Sequence, residues 1–493
     1  MSLFKVGGHY PPIEHRERIK RYRDNERLFQ GEHADVFKKV QDRLSERHGE
    51  IIYIAVNLPG LICKKSADFL FGETAVFSAG KQDDSPEQRA IERLVNDNDL
   101  HITNYESALS NAYRGDSFYK IRWGQTYNGF LGESTDPFRA IIEAQNAEYV
   151  FPETIPGDAN RILAYHIAHP VKVEDRRGDR WVLQVESHYP GEIRYAKFEI
   201  QPSRIGPNNV VEEWIIVSEL DADEPVQTGV PFPLVVHIPN YSTDSSWHGI
   251  DDLSEHAAIF DEINNRLSQI SSILDKHADP ALMVPPGTLQ TGEDGSPEFR
   301  VSVNKVFEVG EEDGEVKYIT WDGQLEAAFK ELERLVDLLL TVAELPAVAL
   351  GKDNSGTSGA SGLSIKWRMN SLLAKINRKR QYYDKGLRNV LYIAQLLEHA
   401  QSGKKPDYTP TWPKINFKDG LPDDEMEQAQ IAQIRTGGRP TMSQKTALMR
   451  LDGLTEQQAE AELERIREDE MRETAVDSSI FNKSAGGGAN EAD

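Results

Sequence analysis

The spacing of apolar residues separates an α/β first half from a helical second half. Residues 11–50 are polar and rich in Arg and Glu, with apolar positions too sparse for a buried core helix. That predicts an N-terminal arm or helical extension over 1–50 with exposed faces. After Ile51 to Gly60, the positions Leu61, Ile62, Ala67, Phe69 and Leu70 predict a short helix stopped at Gly72. Residues 85–113 read as two more helices, and Arg114-Gly115-Asp116 turns the chain into an alternating strand, Ser117–Trp123. The β pattern continues to about 240, with runs at Trp181–Tyr189, Ile193–Ile200, Val210–Leu220 and Phe232–Pro239 between Gly, Pro and Asp clusters. Residues 51–250 are therefore expected to form one α+β domain.

The texture changes at 251. Leu253, Phe260, Leu267 and Leu274 recur every seventh residue, with Ile263 and Ile270 between them. They predict a helix over 251–277, about 40 Å long at ~1.5 Å per residue. Asp279-Pro280 ends it, and 278–322 has β character and is rich in Gly, Glu and Asp. A second helix, 323–344, carries Leu325, Leu332 and Leu339, with Phe329, Leu335 and Val342 assigned to the same face. Residues 345–362 form a Gly/Ser-rich loop holding Lys352, Asp353, Asn354, Ser355, Thr357 and Ser358. A long basic helix and its return occupy 363–420, and small acidic helices fill 421–475. Residues 476–493 read as a disordered tail.

The chain has 493 residues, which predicts about three domains of ~100–200 residues or one elongated subunit. Acidic residues outnumber basic ones by 80 to 56, for a net charge of −24. A surface this acidic does not wrap nucleic acid, but it can surround and repel it. The single cysteine, Cys63, forms no intrachain disulfide, which fits a reducing compartment. The start of the sequence lacks the apolar core of a signal peptide, and no apolar run nears the ~20 residues of a membrane span. The expectation is a soluble protein made in the cytoplasm, without a membrane partner.

The search for catalytic chemistry is negative. Gly60-Leu-Ile-Cys-Lys-Lys-Ser66 lacks the second glycine of a phosphate-binding loop. The thirteen histidines are scattered, and the separations of His248, His256 and His277 do not suit a metal. Ser355, Ser358 and Ser361 sit in no Gly-x-Ser-x-Gly elbow. Asp251-Asp252 and Glu311-Glu312-Asp313 read as solvated charge, the first pair with a further use at a helix start. No catalytic residue, metal or cofactor is expected. What stands out is an arrangement: two long amphipathic helices joined by a β insertion, with apolar faces wider than one antiparallel partner buries. Side-by-side packing of copies, as a ring or bundle, would use the surplus.

Three segments in this order resemble the portal proteins of tailed bacteriophages, of the siphophage type. They are Asn57-Leu-Pro-Gly-Leu-Ile-Cys-Lys-Lys-Ser-Ala-Asp-Phe-Leu-Phe-Gly72-Glu73; Gly249-Ile-Asp-Asp-Leu-Ser-Glu through Phe260 and Asn264 to Gly287; and Leu345-Pro-Ala-Val-Ala-Leu-Gly351 with Ser361-Gly-Leu-Ser-Ile-Lys366. The resemblance implies a wing over 51–250, stem helices at 251–277 and 323–344, a clip at 278–322, a tunnel loop at 345–362, a long wing helix within 363–420 and a crown at 421–475. It implies a ring of about twelve copies at one capsid vertex, among major capsid and scaffolding proteins, through which double-stranded DNA is packaged and ejected. The clip would dock the terminase large subunit and later a head-completion adaptor.

The charges suit that picture. The clip holds ten acidic residues against three basic, and Glu308, Glu311, Glu312, Asp313 and Glu315 are its candidate docking surface. The first stem helix holds six against two, and carboxylates lining a bore would let DNA slide. On the basic helix, Lys375, Arg378, Lys379 and Arg380 are expected to pair with a neighbour's acidic stem rather than grip DNA. The rival readings are another acidic ring or scaffold protein of a capsid or secretion machine, and a hydrolase.

Overall fold

A two-residue strand, β1 (His9–Tyr10), leads into helices α1 (Arg16–Gln30), α2 (His33–Val36) and α3 (Leu58–Phe71). The chain continues through β2 (Val76–Ser78), α4 (Pro86–Asp97), α5 (Leu100–Arg114), β3 (Asp116–Gly124) and β4 (Arg139–Gln145). Then come β5 (Val150–Ile155), β6 (Asp158–Asp175), β7 (Gly178–Tyr189), β8 (Glu192–Ile205), β9 (Val211–Ala222), β10 (Val226–Gln227) and β11 (Val235–Pro239). The computed structural model describes residues 3–37, 53–81, 84–127, 129–175, 178–206, 210–278, 282–283, 290–291, 297–298, 317–318, 325–352, 362–418, 420, 425–437, 440–451, 458–469 and 471. The described residues of Met1–Gly356 and Trp367–Gly420 make one compact unit, and those of Thr357–Lys366 and Leu421–Asp493 a second.

The main sheet of the first unit is antiparallel, in the order β1-β9-β8-β7-β6-β5, with β10 added beside β8. One face of it packs Phe151, Leu183, Phe198, Ile200, Trp214 and Ile216, while Tyr165 and Ile167 are buried on the other. The N-terminal residues Phe4, Tyr10, Ile19 and Tyr22 complete that core. The expectation of an arm with exposed faces is thus corrected. The helix is polar in composition because its buried side includes Arg18, whose guanidinium donates to the carbonyls of Val150 at 2.9 Å and Ala147 at 3.2 Å. It also lies 5.0 Å from the centre of the Tyr22 ring and 5.1 Å from that of Trp247. A buried cation whose two terminal nitrogens are hydrogen-bonded and which has aromatic faces around it counts as polar in a sequence but packs as core.

A second sheet, β11-β3-β4, carries the long helix Asn370–Gln401 across it and pairs Val236 with Tyr119 and Ile121 with Ile142. The two sheets are tied by Lys120 of β3, whose ammonium lies 2.6 Å from Glu186 of β7. His188 adds a contact of 2.9 Å to the same carboxylate. Strand β6 shows no alternation at Ala164–Ala168, because this stretch is buried on both sides. There His166 meets Ser187 at 2.8 Å and Glu153 at 3.1 Å, and burial holds its imidazole below the ordinary range.

After β11 the chain forms the helical hairpin, α6 (Ala257–Ala278) and α7 (Leu325–Val342). Between them lie the short pairs β12 (Leu282–Met283) with β15 (Lys317–Tyr318), and β13 (Gln290–Thr291) with β14 (Pro297–Glu298). The first helix begins six residues later than 251, because Ser254–His256 forms a 3₁₀ turn ahead of it. The expected single helix from 363 is two, α8 (Gly362–Arg368) and α9 (Asn370–Gln401), parted at the buried Met369. Strand β16 (Lys414–Asn416) pairs with β2. The second unit contains α10 (Glu425–Thr436), α11 (Gln444–Leu451) and a helix over 458–469, with Ala447 and Ala459 buried and Lys445 paired to Glu460.

Glu186 supplies a pH test of the inter-sheet tie. Burial works to raise its carboxyl, but His188 and Lys120 outweigh burial and bring it down to about 2. A lowered carboxylate stabilises the fold above its unfolded value near 4.5, and that contribution is lost as pH falls toward 2. Denaturant titrations from pH 6 to 2 should show an acid-side loss of up to about 3 kcal/mol that Glu186→Gln removes. An unchanged acid limb in the variant would contradict the tie.

Candidate functional site

The helical hairpin is joined to the rest of its unit by a buried charge cluster. Asp252, just ahead of α6, is fully enclosed and faces the ammonium groups of Lys375 and Lys379 on α9. Lys375 lies 3.5 Å from the carboxylate, and Lys379 is in direct hydrogen-bond contact. Ser66 of α3 donates to the same carboxylate oxygen at 2.8 Å, and Asn240, after β11, donates to the other at 3.0 Å. Burial alone would raise this carboxyl, but Lys375 and Lys379 hold it well below the usual range. Burial pushes Lys379 down to about 8, against the pull of Asp252. The reading of Asp251-Asp252 as solvated charge is therefore overturned. Asp251 does serve the helix start, accepting from the Leu253 and Ser254 N–H groups at 2.9 and 2.6 Å. Cys63 is buried beside the cluster, where burial and Asp252 push its thiol up, so it is a packing residue and not a nucleophile.

A second buried carboxylate, Asp116, sits where α5 turns into β3. It accepts from the Tyr22 hydroxyl, from His237 at 2.7 Å and from the Gly249 N–H at 2.7 Å. Burial would raise its carboxyl, and these donors, His237 foremost, bring it below the ordinary value. Here Gly115, at φ 87°, and Gly249 pass so closely that a Cβ on Gly249 would lie 2.0 Å from the Gly115 carbonyl oxygen. The same oxygen accepts from the Asn240 N–H at 2.8 Å. Sequence reasoning recognised the Arg114-Gly115-Asp116 turn but not its partners, which lie 94 to 133 residues away.

The hairpin's first helix is held along its length by an extended strap, residues 53–57. Ile54 N–H donates to Ser268 Oγ at 2.8 Å and Val56 N–H to Asn264 Oδ1 at 3.0 Å. The amide of Asn264 also donates to His33 Nδ1 at 2.8 Å, and burial keeps that imidazole neutral. Asn57 then caps α3 by accepting from Gly60 N–H at 2.8 Å. Arg266 of α6 reaches Glu331 of α7 at 3.1 Å and Glu262 at 3.0 Å.

Of the predicted stem positions, Leu253, Phe260 and Leu339 are buried, Leu267, Leu325 and Leu332 are half-buried, and Leu274 is exposed. Of the four cations of the basic helix, Lys375 and Lys379 are buried, Arg380 is half-buried and Arg378 is exposed. Lys375 and Lys379 are consumed by Asp252, and Arg378 pairs with Glu344. Arg380 donates to the carbonyls of Phe69, at 3.1 Å, and Lys418. Each finds its anion or carbonyl inside its own chain. Lys352 is exposed, while Asp353, Asn354, Ser355, Thr357 and Ser358 lie outside the described residues. So do Glu308, Glu311, Glu312, Asp313 and Glu315. Among the described residues, no three His, Cys, Asp or Glu side chains gather closely enough to hold a metal.

A family model described as "Phage portal protein, SPP1 Gp6-like" matches residues 11–475. No curated protein matches the chain. Among solved structures, a chain of the virion of a native gene transfer agent particle is 10% identical, with a TM-score of 0.42, over 84% of this chain and 97% of its own. A chain from the neck of an empty gene transfer agent particle, computed with C6 symmetry, is 11% identical at 0.44, over 84% and 97%. Neither likeness is near enough to say what this chain does.

Asp252→Asn leaves two buried ammonium groups without their anion and should destabilise the first unit by about 3–5 kcal/mol in urea unfolding. Adding Lys375→Met and Lys379→Met should recover most of the loss, since uncompensated charge and not lost volume is the cause. Equal instability of the single and triple variants would refute that account.

Proposed function

Because the chain belongs to the SPP1 Gp6-like phage portal protein family, we propose that it is a portal subunit. About twelve copies form a ring at one capsid vertex, through which double-stranded DNA is packaged and later ejected. In this reading the protein is a conduit and catalyses nothing. The tip of the hairpin docks the terminase large subunit and then a head-completion adaptor, and major capsid and scaffolding proteins surround the ring. Assembly takes place in the host cytoplasm, and the product is a virion component.

One observation carries the ring. The side of α7 turned to its hairpin partner includes Leu332, Leu335, Leu339 and Leu340. At about 100° per residue, Phe329 falls within that stripe, between Leu332 and Leu340, and Leu338 and Val342 fall on one flank of it. All three are exposed, at 44%, 46% and 45%. Apolar positions left open on the hairpin's second helix suit packing against further copies of the chain, as a ring provides. The acidic surplus of the hairpin then supports a bore that repels phosphate.

Negative-stain microscopy with light scattering on the purified protein should find annular particles of about a dozen subunits. Phe329→Asp with Leu338→Asp should abolish them while leaving the far-ultraviolet circular dichroism unchanged; intact rings from that variant would sink the stem assignment. These positions are better probes than Leu267 and Leu332, which are half-buried within the hairpin itself.

Deleting 352–360 should spare rings but lower the DNA packaged or retained. Unaltered packaging would reduce that segment to a linker.

A further inference from the structure

A cleft of 540 Å³ lies between α4 and the chain that follows α9. Pro86, Arg89, Ala90 and Arg93, at steps of three, four and seven, put one face of α4 on it. Lys404, Lys405 and Asp407 line it as well. Trp123, near the end of β3, and Phe138, just before β4, add aromatic surface, and the Phe138 ring is half exposed.

The charge of the cleft opposes that of the chain. Four cations meet two carboxylates, and one of those, Glu398, is buried and already occupied. It receives Arg93 at 2.8 Å and the Tyr408 hydroxyl at 2.6 Å. Arg89, Lys404 and Lys405 have no ion-pair partner among the described residues and face only the exposed Asp407. On a molecule of net charge −24, this is a local positive field beside exposed aromatic surface.

We propose that this cleft docks a short acidic segment of a partner protein. An apolar residue of the segment packs against Trp123 and Phe138, and flanking carboxylates meet Arg89 on one side and Lys404 and Lys405 on the other. The face of α4 from Pro86 to Arg93 is about 10 Å long, which matches three or four extended residues at ~3.3 Å each. Duplex DNA fits the charge arithmetic poorly. It carries a phosphate charge every ~1.7 Å, so a bound duplex would bring many more charges than three free cations neutralise, against a strongly acidic protein. The site is separate from the channel proposed above and does not depend on it.

The test uses the full-length protein and a fluorescein-labelled peptide, Asp-Leu-Glu-Phe-Asp, followed by fluorescence anisotropy. Saturable binding is expected, weakening at least about tenfold on raising salt to about 0.5 M or in Arg89→Glu with Lys405→Glu. The variant should keep the melting temperature and particle mass of the unaltered protein. No saturable binding, or binding indifferent to the two reversals, overturns the proposal. So does a labelled 20-base-pair duplex that binds in place of the peptide and is lost in the same variant, which would make the ligand nucleic acid. A changed particle mass in the variant also overturns it, since the cleft would then be a contact between copies.

Discussion

The base of the hairpin is anchored at one carboxylate that water cannot reach. Asp252 touches Ser66 of α3, Asn240 beyond β11, and Lys375 and Lys379 of α9, four residues from three separated stretches of chain. An enclosed ion is tolerated only while its partners stay in place, because desolvation is not recovered otherwise. The first helix of the hairpin therefore leaves the globular part in a fixed direction. Had the same contact been apolar, sliding would have cost less.

The cluster also accounts for the outward charge. Composition makes α9 look like a basic surface, yet two of its lysines are enclosed and two of its arginines are bound to Glu344 and to backbone carbonyls. With the two lysines enclosed and the two arginines paired within the chain, acidic groups dominate what solvent meets. For a conduit of DNA that distribution is useful, since a bore with exposed lysines would bind phosphate and resist sliding. The cleft beside α4 is a local exception, with three cations that have no carboxylate of their own.

The hairpin shows the opposite economy. Polar contacts to it are made inside the chain, by the strap over 53–57 and by Arg266 bridging to Glu331. Its apolar surface is not fully covered, and Phe329, Leu338 and Val342 remain exposed. In the proposed ring, copies of the chain would complete that cover.

The sequence by itself determined the succession of elements. Alternation marked β3, a β-rich run between turn residues marked β7, seven-residue spacing marked α6 and α7, and Gly72 and the Arg114-Gly115-Asp116 turn were legible as boundaries. Those signals are local, arising from backbone geometry and from which face of an element avoids water. Only the tertiary structure decided what the charged residues do. Arg18, Asp252, Lys375 and Lys379 are indistinguishable in a sequence from solvated surface groups, because partners up to 132 residues away enclose them. The polar α1 helix became core for the same reason. A charge's environment is a property of three-dimensional proximity and dielectric, and no periodicity along the chain encodes it.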